Sequence, residues 1–236
     1  MKHPWIPHRF IAFLLLPALV LPQVARADWA YEAGYHFAHH EGEAPQGASY
    51  NGDLQGLHLA FRENVGNWRG ELAGSYQIGN ADRERAGDAL ESSDDTAWSA
   101  EYRIGPQLGA GLWAFGGLAH RRWESDAQSD PIERQLTYSP IGLAIALPPA
   151  WALTGEVTAE YWAVWNAEVR SDAPAAGELP DAGTGWRAAL RLTWPFGDQQ
   201  SLLVNPYYAD WRLDGGAQGN DVDAQVVGIN LGLCWR

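Results

Sequence analysis

The sequence has one cysteine, one methionine and one lysine among its 236 residues. With Cys234 alone, an internal disulfide is excluded, so backbone pairing and side-chain packing must hold the fold together. Positive charge is also scarce, because acidic residues outnumber Lys and Arg by 29 to 16 and the formal net charge is −13. Since phosphate contacts depend on Lys and Arg, this balance argues against nucleic acid as a partner.

Long apolar runs are absent except near the start of the chain. The run from Phe10 to Leu21 follows Lys2 and Arg9 and precedes the small-x-small site Ala25-Arg26-Ala27. This order predicts a cleaved secretory signal peptide over 1–27, and roughly a dozen apolar residues are few for a membrane-spanning helix. We expect one exported domain over 28–236, without an inner-membrane anchor.

The stretch from Trp151 to Trp194 shows the clearest alternation of polar and apolar residues. Glu156 and Glu160 lie on one face of its first run, and Arg187 and Arg191 lie on one face of its second. Folded antiparallel, the hairpin would place Glu160 opposite Arg187. The same register would place Glu156 opposite Arg191. Each run then has a charged face and an apolar face, which fits either a soluble sandwich or a membrane barrel.

The positions of the tryptophans favour the membrane barrel. Those at the short-link ends of the predicted strands are Trp29, Trp68, Trp151, Trp194 and Trp235, and those at the long-link ends are Trp98, Trp123, Trp165, Trp186 and Trp211. Two rows of tryptophan at opposite strand ends are typical of the aromatic girdles of a transmembrane β-barrel. The apolar faces would then meet lipid, and the charged faces would line the lumen.

The chain from Asp28 onward divides into ten predicted strands. They cover 29–38, 52–62, 68–78, 96–104, 108–123, 134–147, 151–166, 184–195, 201–212 and 224–236. Short turns alternate with the longer acidic links 39–51, 79–95, 124–133, 167–183 and 213–223. An even strand count with this alternation predicts an all-β fold, a single antiparallel up-and-down transmembrane β-barrel, with eight strands as the alternative. The long links would face outward from the cell and the short turns the periplasm.

Opposite charges gather on the inward faces of the predicted hairpins. The predicted opposing pairs in the other hairpins are Glu32–Arg62, His36–His58, Glu71–Arg103, Tyr207–Gly228 and Trp211–Ala224. The predicted lumen network consists of Glu32, Arg62, Glu71, Glu101, Arg103, Glu156, Glu160, Arg187 and Arg191. Because buried charges need partners, we expect a salt-bridge lattice that fills a narrow interior, with a proton relay or an acid pair as the alternative.

Two strands carry further signals about which residues face inward. In strand six the apolar residues change parity across Pro140, from Leu136 and Tyr138 to Ile141, which predicts a bulge there. In the last strand the predicted lipid-facing residues are Val227, Ile229, Leu231, Leu233 and Trp235, and the predicted inward residues are Gly228, Asn230, Gly232 and Cys234.

Two groups of side chains have the chemistry of metal ligands. The first lies at the top of strand one and consists of His36, His39, His40, Glu41 and Glu43. Imidazole with carboxylate suits transition metals, although a hydrophilic loop with incidental histidines is the plainer interpretation. The second lies in the 79–95 link and consists of Asp82, Glu84, Asp88, Glu91, Asp94 and Asp95. These acids would bind divalent cations at a lipopolysaccharide surface or form a solvated loop. No cofactor is predicted.

Together these features resemble the small outer-membrane β-barrel proteins of Gram-negative bacteria. The resemblance rests on the signal, the alternation, the tryptophan rows and the C-terminal strand VVGINLGLCW, although Arg236 follows the aromatic residue that usually ends such chains. It implies an outer-membrane location, contact with lipid and lipopolysaccharide, and insertion by the barrel-assembly machinery. The strand number is similar to that of the omptin proteases and some neisserial adhesin barrels. The omptin acid and histidine pairs and the His-x-Ser-Asn stretch of the lipid A deacylases have no match in this sequence.

The sequence shows no recognisable Ser/His/Asp motif, and no catalytic residue is predicted. We expect a non-catalytic envelope barrel, either structural or a narrow pore, with acidic surface loops and a charge-filled lumen that also contains aromatic side chains such as Trp162. The alternatives are an outer-membrane enzyme that acts on lipid A or peptide at the rim, and a surface adhesin. Ten strands enclose little more space than side chains fill, so we expect little or no conductance. The acid excess predicts that any residual current prefers cations.

Overall fold

The computed structural model describes residues 28–44, 48–84, 91–109, 111–126, 132–150, 152–171, 182–213 and 222–236. Its ten strands are β1 (Asp28–Ala44), β2 (Ala48–Val65), β3 (Trp68–Glu84), β4 (Glu91–Pro106), β5 (Leu112–Asp126), β6 (Ile132–Ala150), β7 (Leu153–Ser171), β8 (Gly183–Pro195), β9 (Gln200–Leu213) and β10 (Val222–Trp235). Successive strands pair antiparallel, and β1 also pairs with β10, which closes the barrel. The predicted ten-stranded barrel is confirmed, whereas the predicted signal peptide over 1–27 lies outside the described residues. In the part of the chain described, no helix is long and apolar enough to cross a membrane.

The outer surface of the barrel carries a belt of exposed apolar side chains. Successive residues of a strand point to opposite faces, so each strand presents alternate residues outward. Every strand contributes at least one large apolar residue to this belt, including Phe37 on β1, Leu57 on β2 and Ile141 on β6. On β10, Val227 and Leu231 are exposed as predicted. An apolar surface around the whole circumference exceeds the patches of soluble monomers and fits the hydrocarbon core of a bilayer.

Most strands extend beyond their predicted ends on the side of the long links. β1 continues to Ala44 and β2 begins at Ala48, so the predicted loop 39–51 is mostly paired strand. The predicted bounds of the loop 79–95 are wrong in the same way, because β3 continues to Glu84 and β4 begins at Glu91. The residues between these strands, 85–90, include Asp88 and lie outside the described residues. The apolar alternation ends here because the outer face meets water rather than lipid, while backbone pairing continues.

The strand registers agree with prediction in three of the four hairpins for which opposing pairs were specified. The confirmed Cα pairs are Glu71–Arg103, Glu156–Arg191, Glu160–Arg187, Tyr207–Gly228 and Trp211–Ala224. The predicted β1–β2 register is wrong by two positions, because Glu32 lies opposite Ala60 and His36 lies opposite Gly56. A slip of two residues keeps the same side chains inside. The Arg62 and Glu32 side chains still form the expected ion pair, at 3.6 Å, although their Cα atoms are not partners.

The irregularity predicted at Pro140 lies on the neighbouring strand instead. The β6–β7 register shifts between Thr137 and Tyr138, and Trp165 is the extra residue on β7. β6 itself keeps one parity throughout, so Leu136 and Tyr138 are buried inside the barrel while Ile141 is exposed. The predicted change of face within β6 is therefore wrong, because the interior at this height is itself apolar.

The tryptophans divide between the outer surface and the interior. The exposed ones near strand ends are Trp68, Trp165, Trp186 and Trp194. Trp123 and Trp211, which the sequence assigns to an outer row, are only 7% and 5% exposed and lie inside the barrel. A tryptophan near a strand end can therefore lie on the outer surface or inside the barrel. The two girdles stay a prediction, and Trp151 lies outside the described residues.

Candidate functional site in the barrel interior

The half of the interior at the short turns, called here the turn end, is filled by ion pairs between arginine and glutamate. This Arg-Glu lattice consists of Arg62, Arg69, Arg103, Arg187 and Arg191 with Glu32, Glu71, Glu101, Glu156 and Glu160. Arg62 Nη2 lies 2.6 Å from Glu71 Oε2, and Arg103 Nη2 lies 2.9 Å from Glu160 Oε2. Five cations therefore meet five anions, and pairing offsets much of the desolvation penalty of each charge.

All nine residues of the predicted lumen network lie in this lattice, and Arg69 is the member that the sequence pattern did not single out. Arg69 is two residues before Glu71 on β3, so strand alternation places both side chains on the same face. Its guanidinium bonds Glu156 on β7, with Nη2 2.8 Å from Oε1. The parity of β3 alone was sufficient to predict that Arg69 points inward.

Side chains of the lattice reach across the barrel as well as to neighbouring strands. Glu156 and Arg191 are Cα partners, yet Glu156 bonds Arg69 and Arg191 bonds Glu32. The predicted side-chain pair between Glu156 and Arg191 is thus wrong. Glu160 does contact its predicted partner Arg187, at 3.6 Å. In a narrow lumen a long side chain can reach the far wall, so Cα register alone does not determine the ion pairs.

A smaller polar layer lies above the lattice, towards the long links. His36 Nε2 lies 2.6 Å from the Tyr207 hydroxyl oxygen, and His36 Nδ1 lies 3.1 Å from the amide nitrogen of Gln77. These side chains border a cavity of about 110 Å³. The buried side-chain oxygens of Gln77, Asn205 and Asn230 have no hydrogen-bond partner among the described residues. Water satisfies such oxygens in polar cavities of this size.

The half of the interior at the long links, called here the loop end, is filled by aromatic rings. This aromatic plug consists of Tyr50, Trp123, Tyr138, Trp162 and Trp211, together with smaller apolar residues. The rings of Tyr138 and Trp162 are 4.7 Å apart between centroids, and those of Tyr50 and Trp123 are 5.1 Å apart. The cavities beside the plug measure only about 10 and 20 Å³. The sequence predicted Trp162 inside the lumen and Trp211 as an inward residue opposite Ala224, but it did not single out Tyr50, Trp123 or Tyr138 as interior residues.

The plug contains one buried carboxylate. Asp95 accepts a hydrogen bond from Trp123 Nε1 at 2.6 Å and another from the Ser93 hydroxyl at 2.7 Å, and Ser125 donates a third. Hydrogen bonds to a carboxylate compensate for its burial. Asp95 was predicted to be a loop residue that faces cations, and it is instead part of the packed interior.

The predicted metal ligands point to opposite sides of β1. His36 and His40 are buried inside, whereas His39 and Glu41 lie on the outer wall above the apolar belt. His39 lies 2.8 Å from Asp53 and 3.0 Å from Glu41, and these hydrogen bonds to carboxylates raise the pKa of His39. Strand alternation therefore separates the four side chains. No group of three or more His, Cys, Asp or Glu suited to a metal occurs in the described ranges.

At the turn end the interior opens into a vestibule of about 770 Å³. Its wall includes Trp29, Asn64, Gln107 and Arg236, and the lattice residues Arg69 and Glu156 also line it. Above this vestibule lie, in order, the Arg-Glu lattice, the polar layer and the aromatic plug. The vestibule thus adjoins the Arg-Glu lattice, which lies between it and the polar layer.

Comparisons with known proteins agree with this architecture. No protein-family model and no curated protein matches the sequence. Among solved structures, the outer membrane protease OmpT from Escherichia coli aligns over 89% of this chain and 96% of its own, with a TM-score of 0.54 and 8% identity. OprG from Pseudomonas aeruginosa aligns over 89% and 95%, with a TM-score of 0.44 and 10% identity. Neisserial surface protein A aligns over 89% and 99%, with a TM-score of 0.42 and 9% identity. This chain has the fold of the outer-membrane β-barrel proteins, without an identified subfamily.

Proposed function

We propose that this protein is a non-catalytic barrel of the outer membrane whose interior is closed to solutes. The apolar belt around all ten strands supports a location in lipid. The observation that carries the closed interior is the aromatic plug, beside which the cavities are only about 10 and 20 Å³. A space of this size holds one or two water molecules or a single small ion and gives no passage to a sugar or an amino acid.

The Arg-Glu lattice forms a second barrier below the plug. A solute that enters the vestibule meets side chains such as Glu160, whose side chain is 0% exposed and contacts both Arg103 and Arg187. Displacing one partner would leave an unpaired charge in a poorly hydrated interior, at a cost of about 3 to 5 kcal/mol. Opening a passage would require disruption of both the lattice and the plug. A structural role in the envelope fits this interior better than a narrow pore.

The charges of the interior also change the expected selectivity of any leak. The acid excess of the whole chain predicts a cation preference, but the lattice pairs five arginines with five glutamates. Nearer the loop end, Arg121 and Arg134 lie in the part of the interior that holds the buried acid Asp95. A cation preference does not follow from the described part of this lumen, because its acids do not outnumber its arginines.

The other roles and partners that the sequence predicts also remain proposals. Outward-facing acids on the strand extensions, including Asp53, Asp94 and Asp126, would meet lipopolysaccharide or a host surface above the belt. This arrangement is compatible with a surface adhesin and with divalent cations at the outer wall. Enzymatic action on lipid A or peptide at the rim, and insertion by the barrel-assembly machinery, likewise stay predictions.

Osmotic swelling of proteoliposomes tests the closed interior with neutral solutes. Liposomes that contain the folded barrel are diluted into isotonic arabinose or glycine, and the fall in turbidity is compared with that of empty liposomes and of liposomes with an open porin. We expect the barrel to swell the liposomes no faster than the empty control, because the plug blocks even small solutes. Swelling above that control with the smaller solute, glycine, would contradict the proposal.

A further inference from the structure

Among the described residues, the interior of this acidic protein carries more arginine than acid. In the Arg-Glu lattice the two are balanced, five to five. Towards the loop end, the inward arginines Arg121 and Arg134 lie in the part of the interior that holds the buried acid Asp95. The chain as a whole has a net charge of −13, so this local excess of positive charge is opposite in sign to the rest of the molecule.

Arg121 and Arg134 differ from the lattice arginines in their partners. Each lattice arginine has a glutamate oxygen within the 4.0 Å of an ion pair, whereas among the described residues neither Arg121 nor Arg134 has a carboxylate at that distance. Asp95 does not fill this role, because its oxygens accept hydrogen bonds from Trp123, Ser93 and Ser125. A cation in a poorly hydrated interior without an anion is unfavourable.

Stacking fixes the position of both guanidinium groups. The Arg121 guanidinium carbon lies 4.9 Å from the centroid of a Trp211 ring, and that of Arg134 lies 4.7 Å from the Tyr50 ring. A planar guanidinium that stacks on an aromatic face keeps its N–H groups at its edge, where they remain available to an acceptor. Such preorganised donors bind an anion with little loss of side-chain entropy.

The two guanidinium groups border one small cavity of about 20 Å³. Trp123, Trp211 and Leu213 form much of its remaining wall, and none of the described residues that line it is acidic. Arg121 also borders the larger polar cavity of about 110 Å³ below. The available space therefore admits a single small ion or group, and the charges that the described residues bring to its wall are positive.

We propose that Arg121 and Arg134 form an anion-binding site inside the loop-end half of the barrel, which takes a small monovalent anion such as a halide ion or a single carboxylate group. The anion accepts hydrogen bonds from the edges of both guanidinium groups and supplies the charge that the described interior lacks. The indole walls exclude water and large anions from the site. Sulfate and phosphate are excluded by their size.

Equilibrium unfolding of the purified, refolded barrel in detergent micelles tests this site. The urea midpoint is measured at constant ionic strength while sodium gluconate, whose anion is too large for the cavity, is replaced by sodium chloride or sodium acetate. We expect a saturable rise in stability, since an anion at a hundred times its dissociation constant shifts the folding equilibrium about a hundredfold. A midpoint that is the same in gluconate, chloride and acetate would overturn the proposal.

Two variants separate the site from general salt effects. Arg121→Met removes one guanidinium and should abolish the saturable response, while in gluconate it should be at least as stable as the wild type because an unpaired buried charge is gone. Arg122→Met is the matched control, because Arg122 is the next residue, points outward and pairs with Glu124 and Glu133. It should keep the full chloride and acetate response. An unchanged response in Arg121→Met would overturn the site.

Crystals of the wild-type barrel soaked in sodium bromide give a direct answer even if Arg121→Met does not fold. Bromide has anomalous scattering that locates it without reference to the protein density. We expect a peak within hydrogen-bonding distance of the Arg121 and Arg134 guanidinium groups. Peaks at the protein surface alone, with none between these two side chains, would overturn the proposal.

Discussion

Replacement of Glu160 by alanine is expected to destabilise the folded barrel by about 3 kcal/mol, because it leaves the Arg-Glu lattice with one more arginine than glutamate in a poorly hydrated interior. The Glu160 side chain is 0% exposed, lies 2.9 Å from Arg103 and 3.6 Å from Arg187, and accepts a hydrogen bond from Trp162 Nε1 at 2.9 Å. The effect should appear as a lower temperature at which the folded form, recognised by its electrophoretic mobility, converts to the unfolded form.

The surface pair between Arg122 and Glu124 supplies the control for this prediction. Glu124 is 51% exposed and lies 2.6 Å from Arg122, so Glu124→Ala should cost less than about 1 kcal/mol. The double variant Glu160→Leu with Arg103→Met removes one cation with one anion and should lose less stability than Glu160→Ala. If Glu160→Ala were as heat-resistant as the wild type, the carboxylate would be hydrated and the interior more open than described.

Replacement of Gly228 by valine is expected to destabilise the barrel by about 1 to 3 kcal/mol through overpacking. Gly228 lies opposite Tyr207, and a Cβ atom at residue 228 would fall well inside van der Waals distance of the Tyr207 ring. The ring is held by His36 on one side and lies under the Arg187 guanidinium, so it has little freedom to move. Urea unfolding of the refolded protein measures the change.

Gly70→Val is the matched control, because a Cβ atom at Gly70 has nothing nearer than the Tyr102 hydroxyl at 3.8 Å. It should leave the unfolding midpoint nearly unchanged. In the double variant Tyr207→Ala with Gly228→Val, the added methyl groups occupy space that the ring has left, so the two costs should be less than additive. Strict additivity would show that Gly228 and Tyr207 do not pack against each other.

The fold was predictable because a membrane barrel imposes one rule on every strand. Lipid requires apolar outward residues, so the alternation of β7 and β8 fixed both faces, and it placed Glu160 and Arg187 in the correct register. The same rule failed above the lipid, where the outer faces of β1 and β2 meet water and the strands continue through residues that resemble a loop.

The sequence predicted which charged side chains lie inside the barrel, but it did not predict all of the ion pairs between them. Strand parity placed Glu156 and Arg191 inside, yet their partners Arg69 and Glu32 lie on other strands, because distances across a closed barrel depend on its three-dimensional shape. The aromatic plug was predicted only in part, because Trp162 and Trp211 were expected inside whereas Trp123 was not. The position of Trp123 near a strand end suggested an outer girdle, and nothing local in the sequence distinguishes a ring that faces lipid from one that faces other rings.

Single-channel recording in planar bilayers tests the closed interior most directly. The refolded wild-type barrel is inserted into a bilayer in concentrated potassium chloride, with an open porin recorded under the same conditions as the positive control. The aromatic plug and the Arg-Glu lattice together predict little or no conductance and no long-lived open level. Large, stable openings of the wild-type protein would contradict the closed interior and with it the proposed structural role.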